Sequence, residues 1–378
     1  MLPAKLKKHL EDRGKNYSYR SLHSIDPAFH DFSSNDYLGF ARSADLGKRI
    51  QAAWEVRKDK RNGSAGSRLL GGNHHLTEQL EVQIASFHQS ESALLFNSGY
   101  DANLALFSCL PQRGDTILYD ELIHASIHDG RRLSLASSYK FKHNDISHLT
   151  ELLRRSKGEI YVAVESVYSM DGDLAPLAEM AAICKEYNAK LIVDEAHATG
   201  IFGNRGEGRV VELNIQDKVF ARVHTFGKAM GIHGAAVLGD SLLREYLINF
   251  ARSFIYTTAL PLHTILSIRE AYELVAVAGQ SREALFENIS FYRKKFSGLS
   301  STLTFNRSPI QVLVIPGNPN VRTVAEVLKN KGFSIKPVLS PTVPEGKERL
   351  RICLHAFNTK EEIIALAEVL QSQTAYYA

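Results

Sequence analysis

Between Ala93 and Gly239 the chain alternates short apolar runs with longer stretches whose apolar residues recur every three or four positions. The runs are ALLFNSG (93–99), DTILYD (115–120), YKFKHND (139–145), IYVAVES (160–166), KLIVDEA (190–196), VFARVHTF (219–226) and GAAVLG (234–239). Several are apolar almost throughout, the pattern of strands buried on both faces of a sheet. Leu76, Leu80, Ile84 and Phe87 share one helical face ahead of the first run. Leu177, Met180 and Cys184 do the same after Pro176, a residue suited to a first helical turn. The alternation predicts an α/β domain with a mainly parallel sheet.

After about Leu260 the rhythm changes. A long helical region precedes IQVLVI (310–315), FSIKPV (333–338) and RLRICLHA (349–356). A last helix opens with Thr359 and Glu362 at capping-box spacing, ahead of Ile363, Leu366 and Leu370. This half reads as a smaller α+β domain joined by the N-terminal segment. The expected division is 46–265 for the large domain and 1–45 with 266–378 for the small one. A length of 378 residues agrees, because single cores stop growing at about 250–300 residues.

Composition narrows the function classes. The chain is 44% hydrophobic and 23% charged, which sets aside disordered and low-complexity classes. Net charge is +4, with 45 basic and 41 acidic residues spread without blocks, so no nucleic-acid-binding stripe is present. Cys109, Cys184 and Cys353 are far apart and outside C-x-x-C spacing. They argue for a reducing compartment, against a disulfide framework and against a metal site. The opening MLPAKLKKHLEDRGK lacks the apolar core of a secretory signal, and no run approaches the roughly 18 apolar residues of a membrane helix. A cytoplasmic protein without a membrane or nucleic-acid partner is the expectation.

Ligands of open α/β sheets bind at the carboxyl ends of strands, and four groups stand there. Asp194, ending LIVDEAHATG, can hold a cation in a partly dry cleft, with His197 three residues on. Lys228 comes 34 residues later between Gly227 and Gly231, with room for a planar ligand to reach its amine. Desolvated lysines form Schiff bases with carbonyls, and Thr225 offers a hydroxyl to a phosphate. Ser98, Gly99 and Tyr100 open a probable helix whose N-terminus suits an anion. His124 can stack on a flat heteroaromatic ring. Each residue alone is also compatible with a structural role: an N-cap or buried carboxylate, a surface lysine, an ordinary strand–Gly–helix junction, a core histidine. Together they assemble the parts of a pyridoxal-phosphate (PLP) site.

In that combination the chain resembles the α-oxoamine synthases, fold-type I PLP enzymes. The matching motifs are FSSNDYLG (32–39), GSAGSRLLGG (63–72), FNSGYDAN (96–103), LIHAS (122–126), SVYSMDGDLAPL (166–177), VDEAHATG (193–200), HTFGKAMGIHGAAVLG (224–239), FIYTTALP (254–261) and PTVPEGKERLRI (341–352). The resemblance implies a large PLP-binding α/β domain and a smaller α+β domain. It implies that Lys228 carries the Schiff base, that Asp194 pairs with the pyridine nitrogen, and that His197 and Ser169 bond the phenolic oxygen. His124 would stack on the ring beside the substrate, while Gly99, Tyr100 and Thr225 meet the cofactor or its phosphate. Thr258 would reach that phosphate from a neighbouring subunit, which implies a homodimer with shared sites. Asn35 and Arg351 match contacts to an amino-acid carboxylate, a task suited to arginine's planar fork; a charge on a strand surface is the alternative for Arg351. Arg20 and Thr342 match further substrate contacts. Two departures stand out: the stretch before FSSNDYLG is short, and Thr77 occupies a position where histidine is frequent.

The implied reaction is decarboxylative condensation of an amino acid with an acyl thioester. GIHGAAV, SMDGDLAPL and PTVPEGKERLR lean towards the alanine-using type of biotin synthesis, with pimeloyl-CoA or a pimeloyl carrier protein as acyl donor. A sibling using glycine or serine with another acyl-CoA is the alternative. A non-catalytic partner subunit would be expected to lack Lys228. The glycines at 63–72 do not form G-x-G-x-x-G and follow no apolar strand, which argues against a dinucleotide site.

Overall fold

Seven strands form the central sheet: β1 (Ser92–Phe96), β2 (Thr116–Asp120), β3 (Ser137–Phe141), β4 (Ile160–Glu165), β5 (Lys190–Asp194), β6 (Ala221–Thr225) and β7 (Ala235–Gly239). Their order is β1-β7-β6-β5-β4-β2-β3. Strands β2 to β6 pair in parallel, and β7 is antiparallel to both β6 and β1. The seven expected runs each supply one strand. The third begins and ends earlier than its run, because Asp145 caps the Ile146–Arg155 helix by accepting the His148 N–H at 2.9 Å. A capping carboxylate ends the extended stretch there.

The computed structural model describes residues 1–22, 24, 26–297 and 303–374. It divides into a larger unit, Leu38–Tyr168 with Leu174–Arg282, and a smaller one, Met1–Tyr37, Ser169–Asp173 and Glu283–Ala378. These limits differ from the expected 46–265. The Leu262–Ala276 helix belongs to the larger unit, where it meets the Ala44–Glu55 helix through an edge-on Trp54–His263 contact. Gln83 of the His75–Phe87 helix adds a 2.6 Å bond to Glu273. In that helix Leu80, Ile84 and Phe87 are buried as expected, whereas Leu76 is only half-buried and Thr77 is buried in its place. Pro176 stands at the N-cap, one position ahead of the Leu177–Glu186 helix.

Strand alternation explains why the runs are apolar throughout. Ile117, Ala163, Ile192 and Val223 enter one core with Ala102 and Leu106 of the Gly99–Cys109 helix. Leu118, Val162, Val164, Leu191 and Val193 enter another with Leu177, Met180 and Cys184. Successive side chains point to opposite faces, so a strand covered on both sides has few solvent-facing positions for polar residues.

In the smaller unit, β8 (Leu303–Thr304), β9 (Ile310–Val314), β10 (Lys336–Val338) and β11 (Arg349–Cys353) form an antiparallel sheet in the order β10-β11-β9-β8. FSIKPV is not one strand. Phe333–Ser334 pairs in parallel with His30–Asp31, and the chain then changes partner to β11. Pro337 lacks an N–H donor, and β10 is an edge strand, where that loss is tolerated. The last helix, Lys360–Thr374, carries the expected capping box: Glu362 accepts the Thr359 N–H at 3.1 Å and Thr359 Oγ1 accepts the Glu362 N–H at 3.2 Å. The short segment Ser169–Asp173 packs here because Arg349 binds the Asp171 carboxylate and Ser308 donates to the Gly172 carbonyl at 2.6 Å. Gly172 has φ +76°, and a Cβ there would run into the Ile310 carbonyl.

Candidate active site

Strands β5 and β6 end side by side, and β1 runs in the same direction because two antiparallel steps through β7 restore it. Their carboxyl ends therefore open on one edge of the larger unit. Asp194 is the last residue of β5 and is buried. Its Oδ1 accepts the Ala196 N–H at 2.9 Å, and its Oδ2 accepts from Asn103 Nδ2 at 2.7 Å. His197 is buried in the turn just beyond.

Beyond β6 the chain folds back into β7. Phe226 N–H donates to the Gly234 carbonyl at 2.9 Å, and Gly231 N–H to the Lys228 carbonyl at 2.9 Å, so Lys228 sits half-buried in a closed turn. Gly231 has φ +65° and lies against the backbone of Phe40 and Ala41; no other residue fits both conditions.

Gly99 lies just past β1 and opens the Gly99–Cys109 helix, with Ser98 as N-cap. A Cβ on Gly99 would collide with the Thr225 hydroxyl. The missing side chain thus brings the free N–H groups of a helix start against a hydroxyl at the end of β6. A helix start and a hydroxyl so placed can hold an anion, with the helix dipole in its favour. Tyr100, in the first turn, is exposed and donates its hydroxyl to Asp129.

His124 is the N-cap of the Ala125–Leu133 helix and keeps an exposed surface. Its basicity is lowered chiefly by desolvation; Asp194 pulls it up and Lys228 pushes it down. His124 is therefore within electrostatic reach of both Asp194 and Lys228. Thr258 is exposed, with its carbonyl held by Asn97 Nδ2 at 3.0 Å.

The remaining candidates lie in the smaller unit. Arg351 is 9% exposed, which removes the strand-surface alternative. Its Nε donates to the Ser169 carbonyl at 2.6 Å, Nη1 to Cys353 Sγ at 2.9 Å and Nη2 to Asn35 Oδ1 at 3.1 Å. Tyr37 donates to the same Asn35 oxygen at 3.0 Å. Asn35 and Arg351 are thus one group, and Ser169 joins it through its backbone. Arg20 Nη2 donates to Thr342 Oγ1 at 3.2 Å, which pairs two further candidates.

Sequence reasoning misses Asn103 and Ser126, although both lie in quoted motifs. Asn103 is 2% exposed and Ser126 fully buried. The available signal is an amide on a helix, DANLALFSCL, that is otherwise apolar around it.

Pyridoxal phosphate has an anionic phosphate, a ring nitrogen that is cationic when protonated, and an aldehyde. The Gly99–Thr225 cradle, the Asp194 carboxylate and the Lys228 amine match these in chemistry, and the exposed His124 ring offers a flat surface. The residues present fit the cofactor.

Known proteins point the same way. The family model for aminotransferase class I and II matches residues 28–370. An 8-amino-7-oxononanoate synthase of Emericella nidulans is 44% identical, over 97% of this chain and 94% of that protein. The structure of Sphingomonas wittichii serine palmitoyltransferase superposes with a TM-score of 0.91 at 26% identity, covering 100% of this chain and 99% of that one. That of 8-amino-7-oxononanoate synthase from Francisella tularensis does so with a TM-score of 0.80 at 29% identity, covering 93% and 99%. The chain belongs to the class I and II aminotransferase family, in its α-oxoamine synthase branch, and is a PLP-dependent acyltransferase of fold type I.

Proposed function

We propose that this enzyme condenses L-alanine with a pimeloyl thioester to give 8-amino-7-oxononanoate, a step of biotin synthesis. The observation that carries the reading is the 44% identity, over 97% of the chain, to a protein of that name. When bound, the cofactor supplies the electron sink for a carbanion at the amino acid's α-carbon.

The chain's own residues do the rest. Lys228 holds the cofactor through its amine and, once the substrate amine displaces it, takes the α-proton. Asp194, as a carboxylate, keeps the ring nitrogen protonated. His197 and Ser169 serve the phenolic oxygen, Gly99, Tyr100 and Thr225 the phosphate end, and His124 the ring face. Arg351 with Asn35 receives the amino-acid carboxylate, and Arg20 with Thr342 meets the substrate. The new bond joins the α-carbon to the acyl carbonyl carbon, the thiol leaves, and the carboxylate departs as carbon dioxide before a proton returns to the carbon.

The same reading makes the protein a homodimer in which Thr258 of one protomer meets the phosphate bound by the other. Its exposure in the single chain supports that role. It also assigns the enzyme to the cytoplasm, supported by three unpaired cysteines. Among the described residues no helix is long and apolar enough to cross a membrane.

Thiol release by the cofactor-loaded protein tests the assignment. L-Alanine with pimeloyl-CoA is expected to give the highest kcat/KM among alanine, glycine and L-serine paired with pimeloyl-CoA and shorter acyl-CoAs. Faster release with glycine or serine, or with a shorter acyl chain, would move the enzyme to a sibling reaction.

A further inference from the structure

The amide of Asn103 spends both of its hydrogens inside the larger unit. Nδ2 donates to Asp194 Oδ2 at 2.7 Å and to Ser126 Oγ at 3.0 Å. Its oxygen, also buried, has no hydrogen-bond partner among the described residues. Reversing the amide would set Oδ1 against the Asp194 carboxylate, lone pair against lone pair, so the orientation is fixed.

The fixed amide determines where the neighbouring protons sit. Ser126 Oγ accepts from Asn103, so its own hydrogen is directed to its other neighbour, His124 Nδ1, at 2.8 Å. The backbone N–H of Ser126 points at the same nitrogen from 3.3 Å. A ring nitrogen facing two donors is an acceptor, and the proton of the neutral ring then resides on Nε2. The charged groups that act on this ring are Asp194 and Lys228, with its own loss of solvation favouring neutrality. His128, on the helix that His124 caps, also interacts with it.

We propose that Asn103 is a positioning residue: with one amide it holds Asp194 as an acceptor and, through Ser126, fixes His124 as the neutral tautomer with its proton on Nε2. Its consequence for catalysis rests on the functional reading above, whereas the tautomer is a property of this chain whatever its substrate.

Nitrogen-15 spectra of histidine-labelled full-length protein, with and without bound PLP, test it, the His124 signals being assigned by their loss in His124→Gln. At neutral pH the native protein should show His124 Nδ1 bare and Nε2 protonated. Asn103→Leu should shift the His124 Nδ1 signal, because the Ser126 hydroxyl is no longer held as a donor to it, and weaken PLP binding by about tenfold, the scale of one hydrogen bond to a charged group. Ser126→Ala should shift the His124 Nδ1 signal, because one of the two donors to that nitrogen is lost while the backbone N–H remains, but leave PLP affinity within about twofold of the parent, since the Asn103–Asp194 bond survives. Ser126→Thr, which keeps the hydroxyl, should restore the native spectrum. A native spectrum with the proton on Nδ1 would overturn the proposal, as would His124 Nδ1 signals in Asn103→Leu and Ser126→Ala identical to the parent's. If Asn103→Leu does not fold, Asn103→Ala, which leaves room for a water at the site, carries the same comparison. A different preferred substrate in the thiol assay would leave these spectra untouched.

Discussion

Asp194 and Glu195 are adjacent carboxylates at the end of one strand, and they belong to two different regions. Asp194 has the strand parity of Ile192 and turns towards the Gly99–Cys109 helix, where Asn103 meets it in the cleft. Glu195 has the parity of Leu191 and Val193 and turns into the core that contains Val210. There it accepts the backbone N–H groups of Arg209 and Val210 at 2.9 and 2.7 Å and the Ser166 hydroxyl at 2.9 Å. Burial raises its pKa against those bonds and the nearby Arg222. The interior cluster continues through Arg222, which donates to the His88 carbonyl at 2.8 Å, and the His88–His224 ring pair. His88 is tied to Tyr272 Oη at 2.9 Å and the Glu207 carbonyl at 2.7 Å; His224 is tied to Thr199 at 2.8 Å. The same residue types border a cleft in one region and are closed over by protein in the other.

Substitution should separate the two regions. Asp194→Asn is expected to lower turnover by about 10³-fold, the scale on which a stabilising group at a reacting centre acts, with a melting temperature close to the parent's. Glu195→Gln should do the converse. It keeps an acceptor for one backbone N–H but removes the charge facing Arg222, at about 2 kcal/mol of stability, with kcat of the folded protein nearly unchanged. Chemical denaturation and steady-state kinetics on both variants check this. Equal losses of activity in the two would break the distinction.

The interior cluster should also make stability depend on pH. Burial, reinforced by Arg222, lowers the His88 pKa to about 3, while the Glu207 carbonyl opposes the shift. Burial with His88 and Arg222 holds His224 well below its ordinary value of 6.5. Both rings are neutral in the fold and bind protons more readily once unfolded. The stability they permit is fully present above about pH 6.5 and is lost as pH falls towards about 3. The expected slope is about 1 kcal/mol per pH unit for each ring. Urea denaturation between pH 8 and pH 5 measures it, a window above the range in which most carboxylates protonate. A flat profile there would mean that the two rings bind protons as readily in the fold as in the unfolded chain.

The strands were legible because burial on both faces leaves a continuous apolar run, a signal carried by neighbouring residues alone. Lys228, Asp194, Gly99 and Thr225 were legible because strand ends are marked by the switch from apolar to polar. Which of Asp194 and Glu195 faces the cleft depends on sheet parity relative to a helix about 90 residues away in sequence. Asn103 is marked only as an amide in an apolar helical stretch and Ser126 not at all, since their importance lies in the hydrogen bonds that three separate segments make to one another. The break in FSIKPV depends on which strands lie beside it, and the burial of Arg351 depends on a segment, Ser169–Asp173, far from it in the chain. Local patterns reveal elements and their ends; partnerships across the fold appear only once the chain is folded.

The central claim is that the strand-end cleft of the larger unit is the reactive centre and Lys228 its nucleophile. Borohydride reduction of the PLP-loaded protein, followed by peptide mass spectrometry, locates the lysine that carries the cofactor. The expected result is a single labelled peptide containing Lys228, absent in Lys228→Ala. A label on another lysine, or none at all, would contradict it.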